Sequence, residues 1–444
     1  MMSKLTILSD DTKESTKVEI KKENIIVLFS EEDIRDYSAI PNDYIGIVAK
    51  NTETYIIKSR FDNDKNFYFS QYILSKALGV KTSIIKNMLI DTKPSKFLRN
   101  ILTIVFVLQI NDAYKRGIFR QYRTFKKNDS KFKGIIDIER HIKLNPIFNG
   151  SIAYSTREYT IDNDVNRLIF TAYEVLEKKN KLLLNELMKD KKNVSEYFVQ
   201  LDNIMKPFSR QESYAVIARQ KKIIHPFYQG WDEVRKTAIQ ILRFMGFQGS
   251  EKKQNQAYGI LIYMPTLWER YIQSILENCS DIFKTQYHRK SKDILIEKDE
   301  DRKEDVRFRN CEPDFCLIKK GKSKLSNPTA VFDAKYKKRW FKVSGGKEEL
   351  VLDGDLRADV YQIISYMHIF PVKIGGIICP GSDECHTKKY RLFKDLENES
   401  FYLLSLGIPK NCSTAAEFIE KMNENEMSFC DNIKNIFLAG QTDI

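Results

Sequence analysis

The 444-residue sequence holds no cysteine before Cys279, and its seven cysteines form no C-x-x-C pair. That spacing offers no paired metal-ligand motif and leaves reduced thiols as the simpler expectation. Cys379, Cys385 and His386 gather around one loop, but a closed zinc site needs four ligands and no second pair accompanies them. No Gly-x-x-x-x-Gly-Lys-Ser/Thr loop occurs, so the chain is not expected to be a P-loop motor by itself. The longest apolar run, Ile101 to Ile110, falls short of the ~20 residues a membrane helix requires. The first residues lack the apolar stretch and small-residue cleavage site of a secretory signal, so a cytoplasmic location is expected, with no membrane partner. There is no internal repeat and no low-complexity tract.

What is present points to globular domains and an anionic partner. Hydrophobic residues make up 42% of the chain, with 27 Phe and 22 Tyr, enough for real cores and against global disorder. The length implies two or three domains. A formal net charge of +13 suits a protein that works beside a polyanion such as nucleic acid.

Residues 1–114 read as mixed α+β and as a candidate partner-docking region. Ile25–Phe29, Tyr44–Val48 and Thr54–Ile57 are β-branched and aromatic enough for short strands, and Lys96 to Tyr114 reads as a buried helix. Residues 115–250 read as largely helical. Leu168, Ile169, Ala172, Val175 and Leu176 keep a 3.6-residue period, with Asn163 or Asp164 as the cap. Glu177 to Lys192 continues as a charged helix, and Gly230 to Met245 carries Val234, Ala238, Ile241 and Leu242 on one side. The polar, glycine-flanked stretch Gly246–Gly259 marks a boundary. Residues 255–444 form the third region.

In that third region a helix is expected from Pro265 to Asn278, then a strand pair at Asp293–Glu297 and Asp305–Phe308. Two apolar strands follow, one opening at Asp314 and one holding Asp333. Leu356 to Phe370 reads as a helix with Val360, Ile363, Ile364 and Met367 inward, stopped by Pro371. Ile374–Ile378 reads as a buried strand, with Tyr390–Phe393 and Phe401–Leu406 as edge strands. Helix, meander, helix and strand make an α/β core.

Asp333 and Lys335 stand two apart in an apolar strand and therefore project together. Metal-assisted phosphodiester cleavage needs carboxylates around a hard cation and a group that positions or deprotonates water. Asp314 and Asp333 read as ligands to Mg²⁺, with the carbonyl of Ala334 as a third, and Lys335 reads as the group beside the water. Glu269 can complete the shell, although Thr266 and Glu269 also spell a capping box. Gln362 and Tyr366 share a helix face that can reach the site or simply form a solvated flank. An ion pair on an edge strand is the plainer reading of Asp333 and Lys335. The triplet alone decides nothing, because Glu19-Ile20-Lys21, Glu177-Lys178-Lys179 and Asp190-Lys191-Lys192 match it too. The basic-aromatic stretch Lys335–Lys342 can grip a phosphate backbone or form an exposed turn.

In order along the chain, Glu269, Asp314, Asp333-x-Lys335 and Gln362-x-x-x-Tyr366 resemble the PD-(D/E)xK nuclease superfamily. Within it the chain resembles the McrC family, the nuclease subunits of McrBC-type restriction systems. Arg116–Tyr122, Phe132–Asp137, Asn166–Ile169 and Leu356–Gln362 carry that likeness, which spans about residues 115–380. The resemblance implies an α/β fold with a C-terminal restriction-endonuclease-like core and N-terminal mixed α+β regions. It also implies a Mg²⁺-dependent DNA endonuclease in phage or foreign-DNA defence, working with a McrB-like AAA+ GTPase subunit. The alternatives are a motor-independent nuclease of the same superfamily, or an adaptor that stimulates a partner NTPase with a vestigial nuclease site.

Overall fold

The computed structural model describes residues 4–11, 25–29, 42–50, 53–62, 66–81, 84–85, 89, 94–147, 149–219, 221–246, 257–279, 281–291, 295–297, 306–308, 311–323, 326–337, 341–344, 347–350, 354–392 and 399–442. The fold is mixed α/β and divides into two compact units, residues 1–97 with 255–444, and residues 98–254. The chain opens with β1 (Lys4–Ser9), β2 (Ile25–Leu28), β3 (Tyr44–Lys50) and β4 (Glu53–Lys58), so the three expected N-terminal strands are present. Helix α1 (Tyr68–Ala77) and helix α2 (Pro94–Tyr114) follow. Ile101, Leu102, Ile104, Phe106, Val107 and Ile110 of α2 are all buried, as the all-round apolar pattern predicts.

The second unit contains β5 (Gln121–Asp129), β6 (Ile135–Ile136), α3 (Ile138–Leu144) and β7 (Ile152–Thr160), whose strands form one antiparallel sheet in the order β5-β7-β6. Helix α4 (Asp164–Asp190) is capped by Asn163, whose side chain accepts a bond from the Asn166 amide at 3.0 Å. Its backbone breaks at Asn180, which separates the apolar face around Leu168 and Leu176 from the charged half. Helices α5 (Lys192–Asp202), α6 (Arg210–Arg219) and α7 (Gln229–Ile241) complete the unit. Trp231 is fully buried, and its indole N–H donates to the Gly117 carbonyl at 2.9 Å. Around β6 and α3 the packing is different: Phe132, Ile135, Ile138, Ile142, Leu144 and Ile147 are all exposed.

The first unit resumes with β8 (Tyr258–Tyr263), which joins the N-terminal strands in a five-stranded sheet ordered β1-β4-β3-β8-β2. Residues some two hundred positions apart thus share one ladder, Ile25–Leu28 beside Gly259–Ile262. Of the expected boundary, residues 247–256 lie outside the described residues. Helix α8 (Met264–Asn278) has Pro265 in its first turn, where its missing N–H costs nothing. Next come β9 (Phe283–Tyr287), β10 (Leu295–Glu297), β11 (Val306–Phe308), β12 (Phe315–Lys319), β13 (Ala330–Ala334), β14 (Phe341–Ser344) and β15 (Lys347–Leu350). Helix α9 (Gly354–Ile369), β16 (Ile374–Ser382), β17 (His386–Arg391), β18 (Ser400–Ile408) and α10 (Ala415–Thr442) end the chain.

The main sheet runs β17-β18-β16-β13-β12-β9, with β13, β16 and β18 parallel to one another and β9, β12 and β17 antiparallel to their neighbours. Two expectations change here. The expected strand pair is present as β10 and β11, but among the described residues it stands as a separate ribbon, and β9, a strand not expected from the sequence, takes the place beside β12 in the main sheet. The second is that β18 is interior rather than an edge, buried along its whole length between β16 and β17. Phe393, at the end of the other expected edge strand, and Lys338–Trp340 of the basic-aromatic stretch lie outside the described residues. Gly376 lets β16 lie close to its neighbours: a Cβ there would stand 2.3 Å from the Tyr402 carbonyl oxygen and 2.9 Å from the Phe332 ring. The Glu426 carboxylate on α10 accepts bonds from Tyr72 (2.8 Å), Lys76 (3.0 Å) and Tyr271 (2.9 Å), which ties α1 and α8 to α10.

The thiols are not all reduced. Cys279, just past α8, and Cys430, on α10, are joined by a disulfide with Cα atoms 5.5 Å apart, while Cys311, Cys316, Cys379, Cys385 and Cys412 remain thiols. Five rather than seven thiols should therefore react in the denatured, unreduced protein, with all seven appearing after reduction. Seven reactive thiols before reduction would exclude the bond.

Candidate functional site

The register of β12 and β13 builds the centre of the site. Phe315 faces Phe332, so Asp314, just before β12, meets Asp333 at the end of β13. The Asp314 amide points at Asp333 Oδ1 (3.4 Å), and the Ala334 amide donates to Asp314 Oδ2 at 2.7 Å. Two carboxylates are thereby held together at one end of the sheet. Asp333 is buried, and Lys335 Nζ lies 2.5 Å from its Oδ2. The same ammonium donates to Gln362 Oε1 at 3.1 Å, Gln362 donates onward to the Tyr366 hydroxyl at 2.6 Å, and that hydroxyl reaches the Glu312 carbonyl at 3.4 Å.

Gln362 thus touches the strand residues directly. Tyr366 was expected on a polar flank but is 6% exposed and belongs to the core cluster with Ile363, Met367 and Phe370. Its hydroxyl is its only polar handle, and Gln362 and Glu312 satisfy it. Glu269 on α8 lies on the other side of Asp314. Its Oε1 is 2.8 Å from Nε2 of His288, whose own amide donates to the Asp314 carbonyl at 3.2 Å.

His288 was not anticipated. It follows β9 in a left-handed backbone conformation (φ 47°) that turns the chain as the strand ends. The β9 sequence Phe-Lys-Thr-Gln-Tyr has little apolar alternation, so neither the strand nor the histidine beyond it stood out. Donor atoms of Glu269, His288 and Asp314 all lie within 4.8 Å of one another, and among the described residues this is the one group of three or more placed to hold a metal ion. Asp333 is engaged with Lys335 beside that group. Cys379, Cys385 and His386 make no such cluster among the described residues.

The electrostatics of the centre favour a cation. Burial, then the carboxylates of Asp333 and Glu269, push the Asp314 carboxyl well above its usual range, against the Ala334 amide and the Lys335 ammonium. Burial alone would lower the Lys335 pKa, but the carboxylates of Asp333, Asp314 and Asp359 together raise it. Tyr366 is pushed up to about 12 by burial and by Asp333. Three carboxylates around one ammonium leave a local excess of negative charge, and the O,N,O donor set of Asp314, His288 and Glu269 fits a divalent cation.

The segment that follows β13 is anchored by residues that follow β1 and β4. The buried Tyr336 hydroxyl meets Ser59 Oγ at 2.6 Å and Asp10 Oδ2 at 3.0 Å, and Arg60 Nε donates to Asp10 Oδ1 at 3.0 Å. Burial raises the Asp10 carboxyl to about 6 in spite of Arg60. Lys335 is thus fixed by its own ion pair and by the residue after it.

Fold and site together define a mixed α/β protein with a carboxylate–lysine–glutamine cluster at the end of two paired strands. It belongs to the family described as "McrBC 5-methylcytosine restriction system component", whose model matches residues 40–380. The family resemblance read from the sequence is borne out. Among solved structures, the refined half-complex from a tetradecameric assembly of Thermococcus gammatolerans McrB AAA+ hexamers with bound McrC is similar at 15% identity and a TM-score of 0.40, covering 89% of this chain and 85% of that one. The cryo-EM structure of the Thermococcus gammatolerans McrBC complex is similar at 13% identity and a TM-score of 0.31, covering 62% and 88%. No curated protein matches the sequence. No described helix is long and apolar enough to cross a membrane.

Proposed function

We propose that this chain is the DNA-cutting subunit of a McrBC-type restriction system, a metal-dependent endonuclease with a PD-(D/E)xK core that works with a McrB-like AAA+ GTPase. The observation that carries the reading is the convergence of Asp314, Asp333, Lys335 and Gln362 at one sheet end, with Glu269 and His288 against Asp314. An ordinary ion pair does not need a second carboxylate whose charge must be offset. Asp314, Glu269 and His288 would hold the cation, with Asp333 and the Ala334 carbonyl beside it. Mg²⁺ is the ion expected from the carboxylates, and the imidazole adds affinity for Mn²⁺. When bound, the cation would supply Lewis-acid activation of water and of the scissile phosphate. Lys335, kept protonated by three carboxylates, acts as a donor that orients water and offsets phosphorane charge rather than as a base. Gln362 holds the ammonium in place.

The partner surface we favour is the exposed apolar group around β6 and α3 in the second unit. Ile135 is 78% and Ile147 84% exposed, and such clustering marks an interaction site. One assay tests both parts: methylated plasmid, Mg²⁺ and GTP, with and without the AAA+ partner. Cutting should require the partner and should fall at least tenfold in Ile138→Asp/Ile142→Asp, which should also lose co-elution with the partner. Robust cutting by the lone chain would favour a motor-independent nuclease. No cutting, together with stimulated GTP hydrolysis and no Mg²⁺ binding by titration calorimetry, would favour the adaptor.

A further inference from the structure

The segment Phe119–Tyr122 takes no part in the carboxylate site, yet it forms one wall of a cleft in the second unit. That cleft has a volume of about 830 Å³. Arg120 stands just before β5 and Tyr122 at its start, Tyr159 comes from the end of β7, and Arg219, Lys221 and Lys222 from the end of α6 and the segment after it. Four cations line the cleft against a single carboxylate, Asp164. Among the described residues none of the four is in an ion pair, whereas neighbouring Arg123 and Arg167 both bind Asp162.

The tyrosines are equally unusual. Tyr122 and Tyr159 face each other across the β5–β7 ladder with ring centroids 5.0 Å apart, and they remain 59% and 44% exposed. The Tyr159 hydroxyl is bonded to that of Tyr228 at 2.8 Å, and Arg157 lies 4.8 Å over the Tyr122 ring. Both rings are therefore held in position while much of their surface stays open to solvent. Fixed, exposed aromatic rings beside unpaired Arg and Lys match what a single strand of nucleic acid needs: π-faces for bases and cations for phosphates. A duplex would offer no free base face. A simple anion would make no use of the rings.

We propose that this cleft binds a single strand of nucleic acid without sequence preference, independently of the carboxylate cluster. The shared chemistry, a base joined to phosphate, also occurs in a free nucleotide, so the test separates the two. Fluorescence anisotropy of the full chain with a labelled deoxythymidine oligomer of about 12 nucleotides, in EDTA to silence any metal site, reads binding directly. Tyr122→Ala/Tyr159→Ala should weaken it about tenfold or more, since each stacked base contributes roughly that factor. Lys221→Ala/Lys222→Ala should lower the slope of log K against log salt by about 1.4, at ~0.7 per phosphate lost. A duplex of the same length and free GTP should each compete at least tenfold more weakly than unlabelled oligomer. All four side chains are exposed, and unchanged circular dichroism checks the fold; if the Tyr159 change unfolds the chain, Tyr122→Ala alone should give a several-fold loss. Wild-type binding in both variants overturns the proposal. Equal competition by GTP would make the cleft a mononucleotide site and also overturn it. So would variants that keep oligomer affinity but lose the AAA+ partner, which would make it a protein-docking surface. A nuclease-dead result for the carboxylate site would leave all these readings unchanged.

Discussion

Asp333→Asn is expected to slow DNA cleavage by about 10²–10⁴-fold while the protein stays folded. Asn nearly matches Asp in shape, and Asp333 sits beside a second carboxylate, so the change removes charge from a crowded site. It also relieves one cause of the raised Asp314 pKa. Unfolding curves should therefore move little, or toward higher stability, as activity disappears. Lys335→Ala should abolish cleavage similarly but destabilise the fold, by on the order of 3 kcal/mol, because it strands Asp333 as a buried carboxylate without its ammonium. The contrast separates chemistry from structure: one variant loses only the first, the other loses both. Cleavage by Asp333→Asn at the wild-type rate would end the site assignment.

The second large effect concerns pH. Asp10 is raised from 3.8 to about 6 in the folded chain, chiefly by burial, so the native state holds its proton more tightly than the unfolded state does. Its contribution is complete below pH 4 and is lost as pH rises through 6, a change of about 3 kcal/mol at ~1.4 kcal/mol per pKa unit. Asp10→Asn keeps an acceptor for Arg60 and a polar partner for Tyr336 but cannot titrate. Its urea stability should therefore fall less than that of the wild type between pH 4 and pH 8. Parallel profiles for the two proteins would mean that Asp10 ionises normally. Other buried carboxylates add their own slopes, but they are common to both proteins and cancel in the difference.

Much of the site's order was legible because strands announce themselves by alternation and burial. Asp314 and Asp333 each sit at the end of an apolar run, and antiparallel pairing then brings them together. Gln362 was identifiable from its helix face, and it does reach Lys335. His288 was not, since a polar strand and a single histidine give no periodic signal, and only the turn at φ 47° aims the imidazole at Glu269. The partner of β2 was equally hidden. Its ladder with β8 joins residues 25–28 to 259–262, and no local propensity encodes a pairing across that distance. Likewise the continuous apolar run of β18 did not show which side of the sheet it would join. Tyr366 misled in the opposite sense: a hydroxyl suggests a surface, but the ring fills the core and only the oxygen is served by polar groups.

Glu426 makes the last helix part of the interior. Because its carboxylate receives the hydroxyls of Tyr72 and Tyr271 and the ammonium of Lys76, the last helix supplies the acceptor for three donors rooted in two other helices. Stop codons and proteolytic clips near the carboxyl end are therefore not trimming a tail. Any version of the chain that terminates before Glu426 leaves two tyrosine hydroxyls in the interior without that acceptor and loses Cys430 as well. Shortening the chain to a point before Glu426 should yield aggregates rather than a smaller working protein.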